Sequence, residues 1–416
     1  MTANIPTKDL FLSPDERYDV WVVKAAERPE LLAAWQPGEN DKERASTPPL
    51  TDGCDIPSWR RHRLACDVLP SASSEAVQNI GWGSALLRRS DNLISIDISN
   101  KASWKLLREK MFSTLIVPPE RRIEEIQYNE EEHQHPLAAE CENRPVLIHG
   151  CTKDWKAMES CTFSRLVERF GEFQWRFSDA HAETLSLRTY QKYMTDQGVL
   201  DDAPLAVYDS QFGHTDDRSV LLQEYQVPKC FLEKDLYSLM DSIKSSNPSN
   251  SECDPLDQRP PFRWILIGPA RSGTGLHIDP AGTHAWVTLV EGCKRWILFP
   301  PDTPRDSIFM QSPQIPSSIW FHYHYDTVMS SSAAVGAIEV IQRPGETVYV
   351  PAGWPHLVLN LELSVAITHN YASQYPSMQS LMDAIQNEEP EMLSRLTKAI
   401  QEHRPDLYMQ ITQQAS

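Results

Sequence analysis

Apolar residues in the second half of the chain come in short runs, at 262–267, 285–290, 294–299, 337–341, 347–350, 357–361 and 364–368. β-Branched and aromatic residues fill these runs, and Gly, Pro and Asp punctuate them. That texture predicts strands. Short strands in quick succession, without helices between them, predict an antiparallel sandwich or barrel rather than a doubly wound sheet. Upstream, Pro145-Val-Leu-Ile-His-Gly150 reads as one more strand, followed by a turn around Trp155 and an amphipathic helix over 163–170.

The flanks have a different period. Pro14 stands at a first helical position before a run of helix formers, and 103–112 carries apolar residues at helical spacing. Positions 36–70 and 245–261 are rich in Pro and polar residues and read as loops. From 377 to 404 the helical period returns, with Leu381, Ile385, Met392, Leu396 and Ile400 on one side. Three parts are therefore expected: a mostly helical region at 1–120, a β-rich catalytic-type domain at 121–376 and C-terminal helices at 377–416. The apolar stripe of those last helices suits packing on the barrel or pairing two chains, so a homodimer stays open.

Composition narrows the class. The 416 residues are 41% hydrophobic and 23% charged, as in ordinary globular proteins. With 39 Lys+Arg against 57 Asp+Glu the net charge is −18, which opposes direct nucleic-acid binding and favours a basic protein or peptide partner. No run approaches the roughly 18 apolar residues of a membrane-spanning helix. The start, Met1-Thr-Ala-Asn-Ile-Pro6, lacks the basic-then-apolar layout of a secretory leader. Eight scattered cysteines without a Cys-x-x-Cys pair fit free thiols in a reducing compartment. An intracellular protein is expected.

Chemistry concentrates in Gly273-Thr-Gly-Leu-His277-Ile-Asp279-Pro280. In an extended segment His277 and Asp279 share a face, because the side-chain period is two. They are two of the three ligands that a 2-His-1-carboxylate metal site needs. His-x-Asp is a common pattern in a chain with 13 histidines, and it recurs at His214/Asp216 and His324/Asp326. The first of these lies in a polar run that reads as a solvated turn. The second extends to His322, but three ligands from five consecutive residues would lie nearly in a row. That stretch reads instead as an aromatic strand or a pocket rim. A third ligand for His277 and Asp279 is offered by His356, which follows the turn Pro351-Ala-Gly-Trp-Pro355 and opens the strand 357–361.

Two imidazoles and a carboxylate on one face of Fe(II) leave positions for a bidentate 2-oxo acid and dioxygen. The distal carboxylate of such a cosubstrate needs a cation in a dry pocket. Lys294 supplies one at the start of a strand, while Arg295 alternates to the other face. Thr274 and Thr368 add hydroxyl donors for the same carboxylate.

At these residues the sequence resembles the JmjC-domain dioxygenases, and within them the arginine demethylase and lysyl hydroxylase subgroup, the phosphatidylserine-receptor-like proteins. The strings that carry the likeness run from Arg263 to Pro280, from Gly292 to Pro300 and from Gly345 to Asn360. The resemblance implies a double-stranded β-helix, a cupin-like jelly roll with helical N-terminal and C-terminal additions. It implies Fe(II) on His277, Asp279 and His356, and 2-oxoglutarate on Thr274, Lys294 and Thr368. It also implies hydroxylation of protein side chains, either at lysine carbon or at N-methyl groups with loss of formaldehyde, and a nuclear setting. One position departs from the subgroup: Val287 follows Ala285-Trp286 where the subgroup usually has Asn. The other reading of the same residues is a catalytically weak metal-binding cupin that serves as a scaffold in a chromatin or RNA-processing complex.

Overall fold

The computed structural model describes residues 117–128, 143–177, 184–196, 204–214, 217–242, 259–310 and 314–414. The helices expected at 14–26 and 103–112, the loop at 36–70 and residue Asp216 lie outside these. Most of the loop at 245–261 does too.

Thirteen strands form among the described residues. They are β1 (Glu124–Gln127), β2 (Val146–His149), β3 (Gln174–Arg176), β4 (Thr184–Ser186), β5 (Val207–Asp209), β6 (Arg263–Gly268) and β7 (Gly273–His277), then β8 (His284–Glu291), β9 (Lys294–Leu298), β10 (Ile338–Gln342), β11 (Thr347–Val350), β12 (His356–Asn360) and β13 (Ser364–Tyr371). A seven-stranded sheet runs β1-β2-β11-β8-β13-β6-β5 and a four-stranded sheet β10-β9-β12-β7, with β3-β4 a separate hairpin. Only the β1–β2 pairing is parallel within these ladders; the others are antiparallel. Along β6 to β13 the chain passes back and forth between the two large sheets, which is the double-stranded β-helix. The antiparallel roll read from the short apolar runs is thus the observed core.

Alternation of side chains builds three layers from these strands. Ala285, Val287 and Leu289 of β8 meet Trp296 and Leu298 of β9, Val348 of β11, Val358 of β12 and Ala366 of β13 between the sheets. The opposite positions, Trp286, Val290, Ile265, Ile267, Ile367 and Tyr371, cover the outside of the large sheet and pack under α1 (Phe163–Phe170) and α2 (Leu187–Asp196). Helix α1 buries Phe163, Leu166, Val167 and Phe170 at i, i+3, i+4 and i+7, the face its sequence promised. Outside the small sheet, Ile297, Phe299, Leu357 and Leu359 are covered by α3 (Ser317–Tyr323) and α4 (Tyr325–Met329).

Helices α3 and α4 correct the strand expected at 321–326. Pro316 caps α3, and Ile319, Trp320 and Phe321 turn into the core. His322 is buried at the end of α3, His324 stands between the helices and stacks on Phe309 at 4.0 Å, and Asp326 is exposed on α4, so the three do not come together as a ligand set.

The C-terminal stretch is helical. The expected C-terminal helices are three: α5 (Met378–Glu388), α6 (Pro390–His403) and α7 (Pro405–Gln414), each of the last two opened by proline. Their apolar stripe is buried within this chain, against Leu236, Tyr237, Met240 and Ala281. Of the eight cysteines, Cys151, Cys161 and Cys230 are buried free thiols and Cys293 is half-buried.

Candidate metal centre

β7 and β12 are neighbours, and their register brings His277 opposite His356. The register also shifts: His356 pairs with His277, but Val358 pairs with Thr274. Residues 356–358 of β12 thus face residues 274–277 of β7, one more on β7, a bulge. It lets both Thr274 and His277 look into the barrel, whereas strict alternation would send one of them outward. Gly273 makes this possible, with φ +145°, and a Cβ there would lie 2.0 Å from the Val358 carbonyl oxygen. Asp279 sits just beyond β7, in extended conformation, before a tight turn at Pro280–Gly282.

The outcome is a cluster of three ligand atoms from His277, Asp279 and His356, all within 4.8 Å of one another. The two imidazole rings are 4.2 Å apart, centre to centre, and His277 Nε2 lies 3.6 Å from Asp279 Oδ1. Backbone carbonyls hold both rings: His277 Nδ1 meets the Gly275 oxygen at 2.8 Å and His356 Nδ1 the Trp354 oxygen at 2.9 Å. Each Nδ1 is therefore the protonated donor, and each Nε2 is left with its lone pair for a cation. Trp296 stacks beside His356 and is itself fixed by its indole N–H donating to Gln342 Oε1 at 2.9 Å.

Charge in this cluster is tightly balanced. Burial works against ionising Asp279, yet the His356 and His277 rings hold its carboxyl below the ordinary value. Burial and the neighbouring His277 push His356 down to about 4. Burial also opposes a proton on His277, but the neighbouring Asp279 carboxylate outweighs it and raises this ring. Asp279 Oδ2 is buried without a hydrogen-bond partner. An unsatisfied buried carboxylate oxygen costs stability unless a cation completes it. Two nitrogens and one oxygen of this kind fit a divalent first-row metal.

A second polar group lies deeper in the barrel. Lys294 is 4% exposed, and its Nζ donates to Asn360 Oδ1 at 2.7 Å. Asn360 in turn donates to Ser272 Oγ at 2.8 Å. Burial lowers the lysine to about 7. Thr274 Oγ1 shares a 2.7 Å hydrogen bond with Tyr208 OH, which reaches across from β5. Thr368 lies on β13 opposite Val287 and is buried. Arg295 points outward, as alternation requires, and pairs with Glu339 at 2.9 Å.

The six residues singled out in the sequence thus line one interior. His277, Asp279 and His356 form a close cluster, Lys294 and Thr274 flank β12 from either side, and Thr368 belongs to the facing sheet. Tyr208 and Asn360 were missed. Asn360 stood in the quoted string but carries no ligand signature, and Tyr208 belongs to a three-residue strand whose partner is fixed only by the fold. Val287 packs into the apolar layer between the sheets.

A jelly roll with two imidazoles and a carboxylate converging on its inner wall defines a metal-binding cupin. Residues 264–371 match the family described as JmjC domain, hydroxylase, so this stretch of the chain is a JmjC domain. It is 35% identical over 282 residues to the bifunctional arginine demethylase and lysyl-hydroxylase psr-1 of Caenorhabditis elegans, covering 65% of this chain and 66% of that protein. It is 33% identical over 291 residues to the arginine-specific demethylase JMJ22 of Arabidopsis thaliana, 66% of this chain and 53% of the relative. It is also 30% identical over 187 residues to the human 2-oxoglutarate and iron-dependent oxygenase JMJD4, 43% and 44% of the two lengths. The chain spans 66% or less of the length of each of these relatives.

Proposed function

We propose that this chain is an Fe(II)- and 2-oxoglutarate-dependent oxygenase that hydroxylates protein side chains, with His277, Asp279 and His356 as the metal ligands. The observation that carries the reading is the convergence of those three groups, one with an unsatisfied buried oxygen, in the same interior as a buried lysine. When bound, Fe(II) with 2-oxoglutarate and dioxygen supplies the oxidising power to convert a C–H bond of the substrate residue to C–OH.

The protein's own residues do the rest. The Gly275 and Trp354 carbonyls keep the Nε2 atoms of His277 and His356 free to bind metal. Lys294 offers a charge to the distal carboxylate of the cosubstrate, and Thr274 and Thr368 offer hydroxyls. Tyr208 keeps Thr274 in place from the facing sheet. The apolar layer of Val287, Trp296, Val348 and Val358 excludes water from the interior.

A hydroxyl placed on a lysine carbon is stable, whereas one placed on an N-methyl carbon collapses to formaldehyde and the free amine. Lysyl hydroxylation and demethylation are therefore two outcomes of one chemistry, and relatives carry names for both. A net charge of −18 favours a basic peptide as the substrate, and the nucleus is the proposed place of action. No helix among the described residues is long and apolar enough to cross a membrane.

Incubating the protein with Fe(II), ascorbate, 2-oxoglutarate and basic peptides, methylated and not, tests the reading. Succinate should accumulate, with a gain of one oxygen or a loss of one methylene on the peptide, and His277→Ala should abolish both. If the cosubstrate is never consumed, the protein is a cupin scaffold instead.

A further inference from the structure

The turn that follows Asp279 is unusual in its backbone. Ala281 has φ 53° and ψ 32°, and Gly282 has φ +65°, so two consecutive residues occupy the left-handed region. For alanine this conformation is disfavoured. It persists only where its surroundings impose it.

Both polar groups of the Ala281 residue are gripped from outside the barrel. Its N–H donates to Glu388 Oε2 at 2.6 Å, and its carbonyl accepts from Tyr237 OH at 2.7 Å. Glu388 is the last residue of α5, where the helix dipole disfavours an anion. The bond to Ala281 supplies a reason for a carboxylate there. Tyr237 is buried, and its own N–H donates to Asp235 Oδ1 at 3.0 Å. Asp235 is fixed in turn by Arg259 at 2.7 Å. The adjacent Gly282 lies against α5 so closely that a Cβ would stand 3.1 Å from Ala384 Cβ. The C-terminal helices and residues 235–237 therefore clamp a turn that begins one residue after Asp279.

We infer that Glu388 and Tyr237 are positioning residues for the Asp279 carboxylate, so that the C-terminal helices set the metal affinity of the barrel. The inference rests on the metal-site reading above. Releasing Ala281 frees the turn to relax toward ordinary φ, which swings the peptide leading back to Asp279 and lets its carboxylate move away from the two imidazoles.

The test is Mn(II) binding to the full-length protein by calorimetry, with thermal unfolding of the same samples. Glu388→Ala and Tyr237→Phe are each expected to weaken Mn(II) binding by roughly 10- to 100-fold, as for other residues that orient metal ligands. Glu388→Gln keeps an amide oxygen that accepts the same N–H, so it should stay within about twofold of the parent. Leu396→Ala empties part of the same helical cluster without a bond to the turn. It should lower the melting temperature and leave Mn(II) affinity unchanged.

Affinities for Glu388→Ala and Tyr237→Phe that match the parent, or an equal loss in Leu396→Ala, would overturn the inference. His277→Ala separates the two layers of the argument. If it still binds Mn(II), the metal-site reading itself fails; if it does not, a null result at Glu388 and Tyr237 removes only their positioning role.

Discussion

Lys294 shows what a single residue contributes to the interior. Its ammonium is buried against the neutral amide oxygen of Asn360, and burial brings it from 10.5 to about 7. Between about pH 7 and 10.5 the unfolded polypeptide keeps a proton that the folded one has shed, so this group makes stability rise with pH across that window. The charged form costs stability below it. A bound dicarboxylate reverses the preference and restores the proton. The affinity of the Mn(II)-loaded protein for 2-oxoglutarate should therefore fall as pH climbs past about 7, by up to about tenfold per unit. Lys294→Met should weaken binding by roughly 10- to 150-fold, from a lost charge-assisted bond of about 1.5–3 kcal/mol, and should flatten the profile. Calorimetric titration at several pH values checks both, and an unchanged affinity in Lys294→Met would refute the clamp. Single residues were the most legible scale in the sequence, because His, Asp and buried Lys have few structural uses inside an apolar sheet. Tyr208 and Asn360 were not legible, since neither residue type announces a pocket.

At the scale of elements, the strands were readable and their faults were not. The β-branched and aromatic runs at 285–290 and 294–299 predict strands, which form as β8 and β9, with Lys294 inward and Arg295 outward. The β7 bulge, by contrast, depends on pairing with a strand about 80 residues away, and no local pattern encodes it. Aromatic and histidine residues at 321–326 suggested a strand, but burial against the small sheet favoured helices behind Pro316. Pro390 likewise divides a stripe that periodicity alone made continuous. The bulge yields a sharp expectation. In Gly273→Ala the added methyl would meet the Val358 carbonyl at 2.0 Å, at a φ that L-residues avoid. A loss of about 2–3 kcal/mol is expected in denaturant unfolding, with weaker metal binding because His277 shares the strand. Unfolding and metal binding equal to the parent would show that the bulge does not set the register.

For the whole molecule, the sequence made the roll and its helical tail visible but not how they are joined. The tail packs on residues 236–242 and on the turn after Asp279 rather than standing apart. Family resemblance covered the barrel and named its chemistry. The seating of the tail follows from non-local contacts such as Ala281 with Glu388, 107 positions apart. The composition said little about substrate beyond the sign of its charge. What unites the scales is the proposed metal site, three side chains whose ligand atoms the fold brings within 4.8 Å of one another. Anaerobic titration of the full-length protein with Fe(II), scored as iron retained per protein molecule after gel filtration, tests this directly. One Fe(II) per molecule is expected for the parent, and none for His277→Ala, Asp279→Ala or His356→Ala. Iron retained at the parental ratio in all three variants would contradict it.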